Sequence, residues 1–179
     1  MLRLDDTFFV LIDVQGKLST VMHEREALIE NCLKAVQCMQ ALDIPIVWTE
    51  QIPAKMGETV TELSELLGDA KPIEKISFSC CGEPSFVSAV EALGRKRAIV
   101  AGMETHVCVY QTAADLFAAG YHVEVLADAV SSRTPENKLV GLEKMKTANV
   151  EVSSVETAVF ELMRTAEHPS FRDILKIVK

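Results

Sequence analysis

Asp13, Lys75 and Cys108 each stand at the carboxyl end of a short run that reads as a β-strand. In an open parallel sheet such ends converge on one crevice, so the three side chains are candidates for a single site. A carboxylate beside a thiol can take its proton, and an ammonium near both favours their anionic forms. Cys108 ends the stretch Ala98-Ile-Val-Ala-Gly-Met-Glu-Thr-His-Val-Cys108, where a strand enters a Gly-led turn and then a helix. Free N–H groups and the partial positive charge of a helix start there favour thiolate over thiol. Taken singly, each residue has a plainer reading: an Asp that caps a turn, a solvated Lys, a small apolar Cys in a core.

The elements that must bring them together alternate along the chain. Residues 7–12, Thr-Phe-Phe-Val-Leu-Ile, form a continuous apolar run suited to a strand covered on both faces. A helix is expected over 26–42, a strand over 44–48 with Pro45 near its start, a Pro- and Gly-bearing loop over 51–57, and a short helix over 60–67. A weaker strand at 72–75 and a helix at 83–93 closed by Gly94 follow. The second half repeats the pattern: strands at 97–101, 121–126 and 149–152, helices at 109–119, 134–148 and 155–166, then a tail broken by Pro169. Six strands alternating with helices predict an α/β fold, a parallel sheet with right-handed crossovers and helices on both faces. No linker or repeat interrupts it, and residues 1–179 read as one domain.

Composition excludes several classes of function. With 179 residues, 49% of them hydrophobic, the chain can bury a sizeable core. A net charge of −8 argues against phosphate-backbone binding, so no nucleic-acid partner is expected. No apolar run approaches the roughly 20 residues of a membrane span, and the N-terminal Met-Leu-Arg-Leu-Asp-Asp lacks the core of a signal peptide, which makes a cytoplasmic protein the expectation. The five cysteines (Cys32, Cys38, Cys80, Cys81 and Cys108) are an odd number and read as reduced thiols. Neither Cys32 with Cys38 nor Cys80 with Cys81 has the spacing of a structural zinc site, so no metal is expected.

Three segments resemble the isochorismatase-like cysteine hydrolases, a family that includes nicotinamidases and N-carbamoylsarcosine amidases: Phe9-Val-Leu-Ile-Asp13-Val-Gln15, Glu74-Lys75 with Phe78, and Gly102-Met-Glu-Thr-His-Val-Cys108-Val. The likeness continues through Asp128-Ala-Val-Ser-Ser-Arg133 and covers nearly the whole chain in order. It implies a three-layer α/β/α sandwich around a six-stranded parallel sheet, with Cys108 attacking a carbonyl carbon, Asp13 shuttling the proton and Lys75 holding the ionised pair. It also implies a cis peptide at Met103-Glu104 that aims backbone N–H groups, with that of Cys108, at a developing oxyanion. Gln15, Trp48, Gln51, Phe78 and His106 are the candidates for the substrate pocket, and Glu50 and Glu104 for further polar groups in it. A homo-oligomer acting on a small molecule, without cofactor, is what the resemblance implies.

Departures from the family narrow the activity. Nicotinamidases carry a metal-binding histidine constellation after the second strand; here Trp48-Thr49-Glu50-Gln51 stands there, and His23, His106, His122 and His168 are dispersed. Members that hydrolyse the vinyl ether of isochorismate often lack the cysteine, so Cys108 points to acyl transfer at an amide- or ester-like carbon. Two other readings stay open: an inactive or binding member of the same fold, and a redox-sensing Cys108 resolved by Cys80 or Cys81. For Cys80 and Cys81 themselves, packing ahead of the following helix is the expected role.

Overall fold

A computed structural model describes residues 1–68 and 70–179. Six parallel strands form one sheet: β1 (Thr7–Ile12), β2 (Ile46–Gln51), β3 (Ile73–Lys75), β4 (Arg97–Met103), β5 (His122–Ser131) and β6 (Glu151–Ser153), in the order β3-β2-β1-β4-β5-β6. The chain steps outward from β1 to β3, then returns to lay β4 on the other side of β1. That reversal makes the carboxyl ends of β1 and β4 the switch point where a crevice opens. It is the three-layer α/β fold that the alternation of apolar runs and helical spacing predicts.

Strand alternation sorts the core into two layers. Phe9 and Leu11 of β1, with Ile99 of β4, pack under α2 (Arg25–Ala41), α4 (Thr61–Leu67), α8 (Val155–Met163) and α9 (Phe171–Val178). Phe8, Val10 and Ile12, with Val100, pack under α5 (Pro84–Ala92), α6 (Tyr110–Ala118) and α7 (Pro135–Thr147). All six residues of β1 are buried, as a central strand covered on both faces requires. Two short helices, α1 (Gly16–Ser19) and α3 (Pro53–Met56), follow the carboxyl ends of β1 and β2; α3 lies inside the segment expected to be a loop.

Several boundaries differ from expectation. Ile44 and Pro45 precede β2, with the Pro45 carbonyl accepting from Phe9 N–H at 2.9 Å, and β2 instead runs on to Gln51. β4 and β5 extend to Met103 and Ser131. The tail beyond Pro169 is helical: Ile174 is fully buried, and Ser170 Oγ donates to Ala41 O at 2.8 Å, tying α9 to the end of α2. Burial of one apolar stripe outweighs the local break.

Candidate active site

Gly102 permits the strands that carry the site to meet. It pairs with Ile12, has φ of +122°, and a Cβ there would lie 2.1 Å from Ile12 O. Only glycine fits so close an approach. Beyond Gly102 the peptide between Met103 and Glu104 is cis, and a π-helical turn, Thr105–Val109, places Cys108 just ahead of α6. Gly141 of α7 abuts that turn, and a Cβ at this position would lie 2.8 Å from His106 N and from Thr105 C and O.

Asp13 follows β1 with φ of 52°, a left-handed conformation that Asp tolerates better than most residues. Its side chain is fully buried. Oδ1 accepts from Thr49 Oγ1 at 2.7 Å, and Oδ2 lies 2.7 Å from Lys75 Nζ as an ion pair without the alignment of a full hydrogen bond. The Cys108 thiol lies beside this pair, with Asp13 and Lys75 as the charged groups that act on it. The three residues singled out in the sequence thus meet in one buried cluster.

Lys75 Nζ is surrounded by acceptors. In addition to its ion pair with Asp13, it donates to Gln51 Oε1 at 2.6 Å and to the carbonyls of Ser77 and Phe78, each at 3.2 Å. None of these groups can donate a proton back, so the nitrogen is held as an ammonium. Burial alone would lower its pKa; Asp13, then Cys80 and Cys108, outweigh burial and raise it.

The electrostatics of Cys108 correct one expectation. The thiol is only 6% exposed, and burial first, then the Asp13 charge, push its pKa up to about 12 against the opposing pull of Lys75. The resting group is a thiol facing a carboxylate and not a preformed thiolate: desolvation exceeds the benefit of the helix start and of one ammonium shared with Asp13.

Cys80, for which packing ahead of the helix is the preferred expectation, borders the site as well. It lies in a 3-10 turn, Cys80–Gly82, with its Sγ 3.7 Å from Thr49 Oγ1 and its N–H donating to Thr112 Oγ1 at 2.9 Å, one turn beyond Cys108. Burial pushes this thiol also to about 12, and Lys75 and Asp13 are its charged neighbours. Its spacing of five residues after Lys75 was the one available signal. Cys81 lies outside the cluster, half-buried, with Asp115 as its charged neighbour.

The expected pocket residues divide. Gln15 and Gln51 are both buried and serve as scaffold: Gln15 Oε1 accepts from Gln51 N at 2.8 Å, and its Nε2 donates to Gln51 O at 3.1 Å. Trp48 does not join Cys108. Strand alternation turns it to the opposite sheet face, where it lines a cavity of about 530 Å³ with Glu50, Glu58 and Lys71. Glu50 is tied down there by Thr59, whose N–H and Oγ1 donate to Oε1 at 2.6 and 2.7 Å. Phe78 is exposed at the surface beside Lys75, contributing its carbonyl to the ammonium. His106 Nδ1 lies 2.9 Å from Ser132 Oγ and 3.6 Å from Glu104 Oε2, while Arg133 Nε pairs with Glu104 Oε1 at 3.2 Å. These four form a polar rim after β4 and β5. Among the described residues no three of His, Cys, Asp and Glu are grouped to hold a metal ion, and no helix is long and apolar enough to cross a membrane.

Known proteins share this arrangement of elements. The isochorismatase domain family model matches residues 7–157. The secreted isochorismatase effector Isc1 of Phytophthora sojae is 36% identical over 171 residues, covering 93% of this chain and 81% of that protein. Isochorismatase domain-containing protein 2 of Danio rerio is 33% identical over 170 residues, covering 94% and 85%. The structure of MAR1 ribonuclease from Caenorhabditis elegans superposes with a TM-score of 0.93 at 29% identity, covering 99% of this chain and 91% of that one.

Proposed function

Since the chain belongs to the isochorismatase family, we propose that it is a single-domain cysteine hydrolase that cleaves a small amide- or ester-like substrate through a Cys108 acyl-enzyme. The observation that carries this reading is the buried Asp13 carboxylate, paired with the Lys75 ammonium and the Thr49 hydroxyl and acting, with Lys75, as a charged neighbour of the Cys108 thiol. A thiol with a pKa near 12 is not a nucleophile until its proton has somewhere to go, and Asp13, the carboxylate whose charge acts on it, is the proposed acceptor.

In the proposed reaction Sγ attacks the carbonyl carbon as its proton passes to Asp13. The tetrahedral intermediate collapses, the C–N or C–O bond breaks, and the leaving amine or alcohol takes that proton from Asp13. Water, deprotonated by Asp13, then attacks the thioester, releasing the acid and returning the proton to Sγ. Lys75, fixed as a cation by its four acceptors, holds the carboxylate in place. The oxyanion donors proposed are the N–H of Cys108 with those of the Met103-Glu104 turn; one such donor is typically worth about 2.7 to 4 kcal/mol in the transition state. His106, Phe78 and Glu104 are proposed for the rim that selects substrate.

No step in this scheme requires a metal or cofactor. We also propose that the enzyme acts in the cytoplasm as a homo-oligomer; five cysteines, an odd number, suit a reducing compartment, although the P. sojae relative is named as secreted. RNA cleavage, which the name of the C. elegans structure raises for that protein, is disfavoured here by the net charge of −8. The test is turnover of a panel of small amides and esters by wild type and by Cys108→Ser. Loss of about a hundredfold or more in the variant is expected, and retention of full activity would sink the nucleophile assignment.

A further inference from the structure

Gln51 is the last residue of β2 and pairs in register with Lys75 of β3, so the two side chains share one face of the sheet. Its amide is used in both senses. Oε1 accepts from Lys75 Nζ at 2.6 Å, the shortest of that ammonium's contacts, and Nε2 donates to Ile76 O at 2.7 Å. The backbone beneath it is clamped by the fully buried Gln15. Every polar group of this side chain therefore has one assignment, which fixes which end of the amide faces the ammonium.

We infer that Gln51 is a positioning residue for the reaction: a neutral acceptor that sets where Lys75 presents its charge to Asp13 and Cys108. The inference rests on the cysteine-hydrolase reading above. A lysine ammonium is a point charge on a flexible four-carbon stem, so its location is decided by its acceptors. Here the two shortest contacts, Asp13 at 2.7 Å and Gln51 at 2.6 Å, hold Nζ between them, and the carbonyls of Ser77 and Phe78 at 3.2 Å complete the shell. Without the Gln51 oxygen one N–H of a fully buried cation loses its partner, and Nζ is free to slide along the carboxylate. The charge state matters equally. An amide holds the ammonium without cancelling it, whereas a carboxylate at position 51 would compete with Asp13 for the same positive charge and add a second negative one beside the thiol. The charged and titratable groups around Lys75 are Asp13, Cys80 and Cys108.

The test is acylation of the full-length protein by p-nitrophenyl acetate, followed by p-nitrophenol release and by mass mapping of Cys108, across a pH series. Gln51→Met keeps the volume and removes the acceptor; Gln51→Glu keeps an acceptor and adds charge. Both are expected to acylate Cys108 at least about tenfold more slowly at pH 7, with the acidic limb of the rate profile moved upward. Gln51→Asn, one methylene short of the ammonium, supplies the same comparison should either fail to fold. Folded variants whose rate and profile lie within twofold of wild type would overturn the assignment. Failure of wild type itself to be acylated at Cys108 would instead remove the nucleophile reading, and this positioning role with it.

Discussion

Gly141→Ala is a perturbation of a single methyl group aimed at the turn that carries Cys108, the proposed nucleophile. A Cβ at 141 would lie 2.8 Å from backbone atoms of Thr105 and His106, where ordinary contact begins near 3.4 Å, so α7 and the turn must part by about 0.6 Å. Two effects compete. Replacing glycine inside a helix by alanine is worth about 0.5 to 1 kcal/mol in favour of the fold. Overpacking a close backbone contact costs about 1 to 3 kcal/mol, and the obstructing atoms are main chain, which cannot swing aside. The balance is a loss of about 0 to 2.5 kcal/mol, a fall in Tm of up to about 10 °C at this chain length. Displacement of the turn also moves Sγ relative to Asp13, and a misplacement of 1 Å can cost about a hundredfold in rate. We expect Cys108 acylation to slow by about tenfold or more. Urea unfolding and p-nitrophenyl acetate acylation of the same preparation measure both quantities. A variant that is more stable by the full helix-propensity gain and is acylated at the wild-type rate would refute the contact between α7 and the turn that carries Cys108.

Other consequences follow from buried charge. Lys75→Met leaves the Asp13 carboxylate buried with Thr49 and a thiol for partners, so a loss of about 3 to 5 kcal/mol is expected in urea unfolding, and Asp13→Asn added to it recovers much of that; a single-variant loss under about 1 kcal/mol contradicts the buried pair. Glu124, 2% exposed in β5, has no hydrogen-bond partner for either oxygen among the described residues, and its pKa is raised by burial first, with the charges of Glu161 and Glu151 adding to the rise. A carboxyl whose folded pKa lies above the unfolded value of about 4.3 contributes stability that is complete below that value and is lost as pH rises through the folded one. Glu124→Gln should therefore gain stability relative to wild type as pH rises above about 4.3; a Tm difference that does not change with pH contradicts this.

Much of the fold is legible because its signals are local. The apolar run of β1 and the helical spacing of α2 need no partner to be recognised, and the rule that strand ends converge is enough to group Asp13, Lys75 and Cys108. What stayed hidden depends on registers between strands. Thr49 reads as an ordinary β-former, yet pairing Ile12 with Thr49 places its hydroxyl against Asp13. Gln51 reads as a pocket residue, yet pairing with Lys75 makes it part of the scaffold. Trp48 illustrates the converse: one residue from Thr49, it is carried by the two-residue strand period to the opposite face. Cys80 reads as packing ahead of a helix, and only the 3-10 turn clamped by Thr112 brings its thiol to Thr49. The thiolate expectation failed on magnitude: the helix start and the ammonium are local features, but the burial that outweighs them is a property of the closed site.

Cys108 is proposed to become a nucleophile by giving its proton to Asp13, and every other role assigned to the site depends on that transfer. Mass mapping of the protein after brief exposure to p-nitrophenyl acetate at neutral pH, for wild type, Cys108→Ala and Asp13→Asn, tests it most directly. The expected result is a burst of p-nitrophenol with one acetyl group on Cys108 in wild type, and neither burst nor adduct in either variant, with Asp13→Asn still folded. An Asp13→Asn variant acetylated on Cys108 at the wild-type rate, or a wild-type adduct on another cysteine, would contradict it.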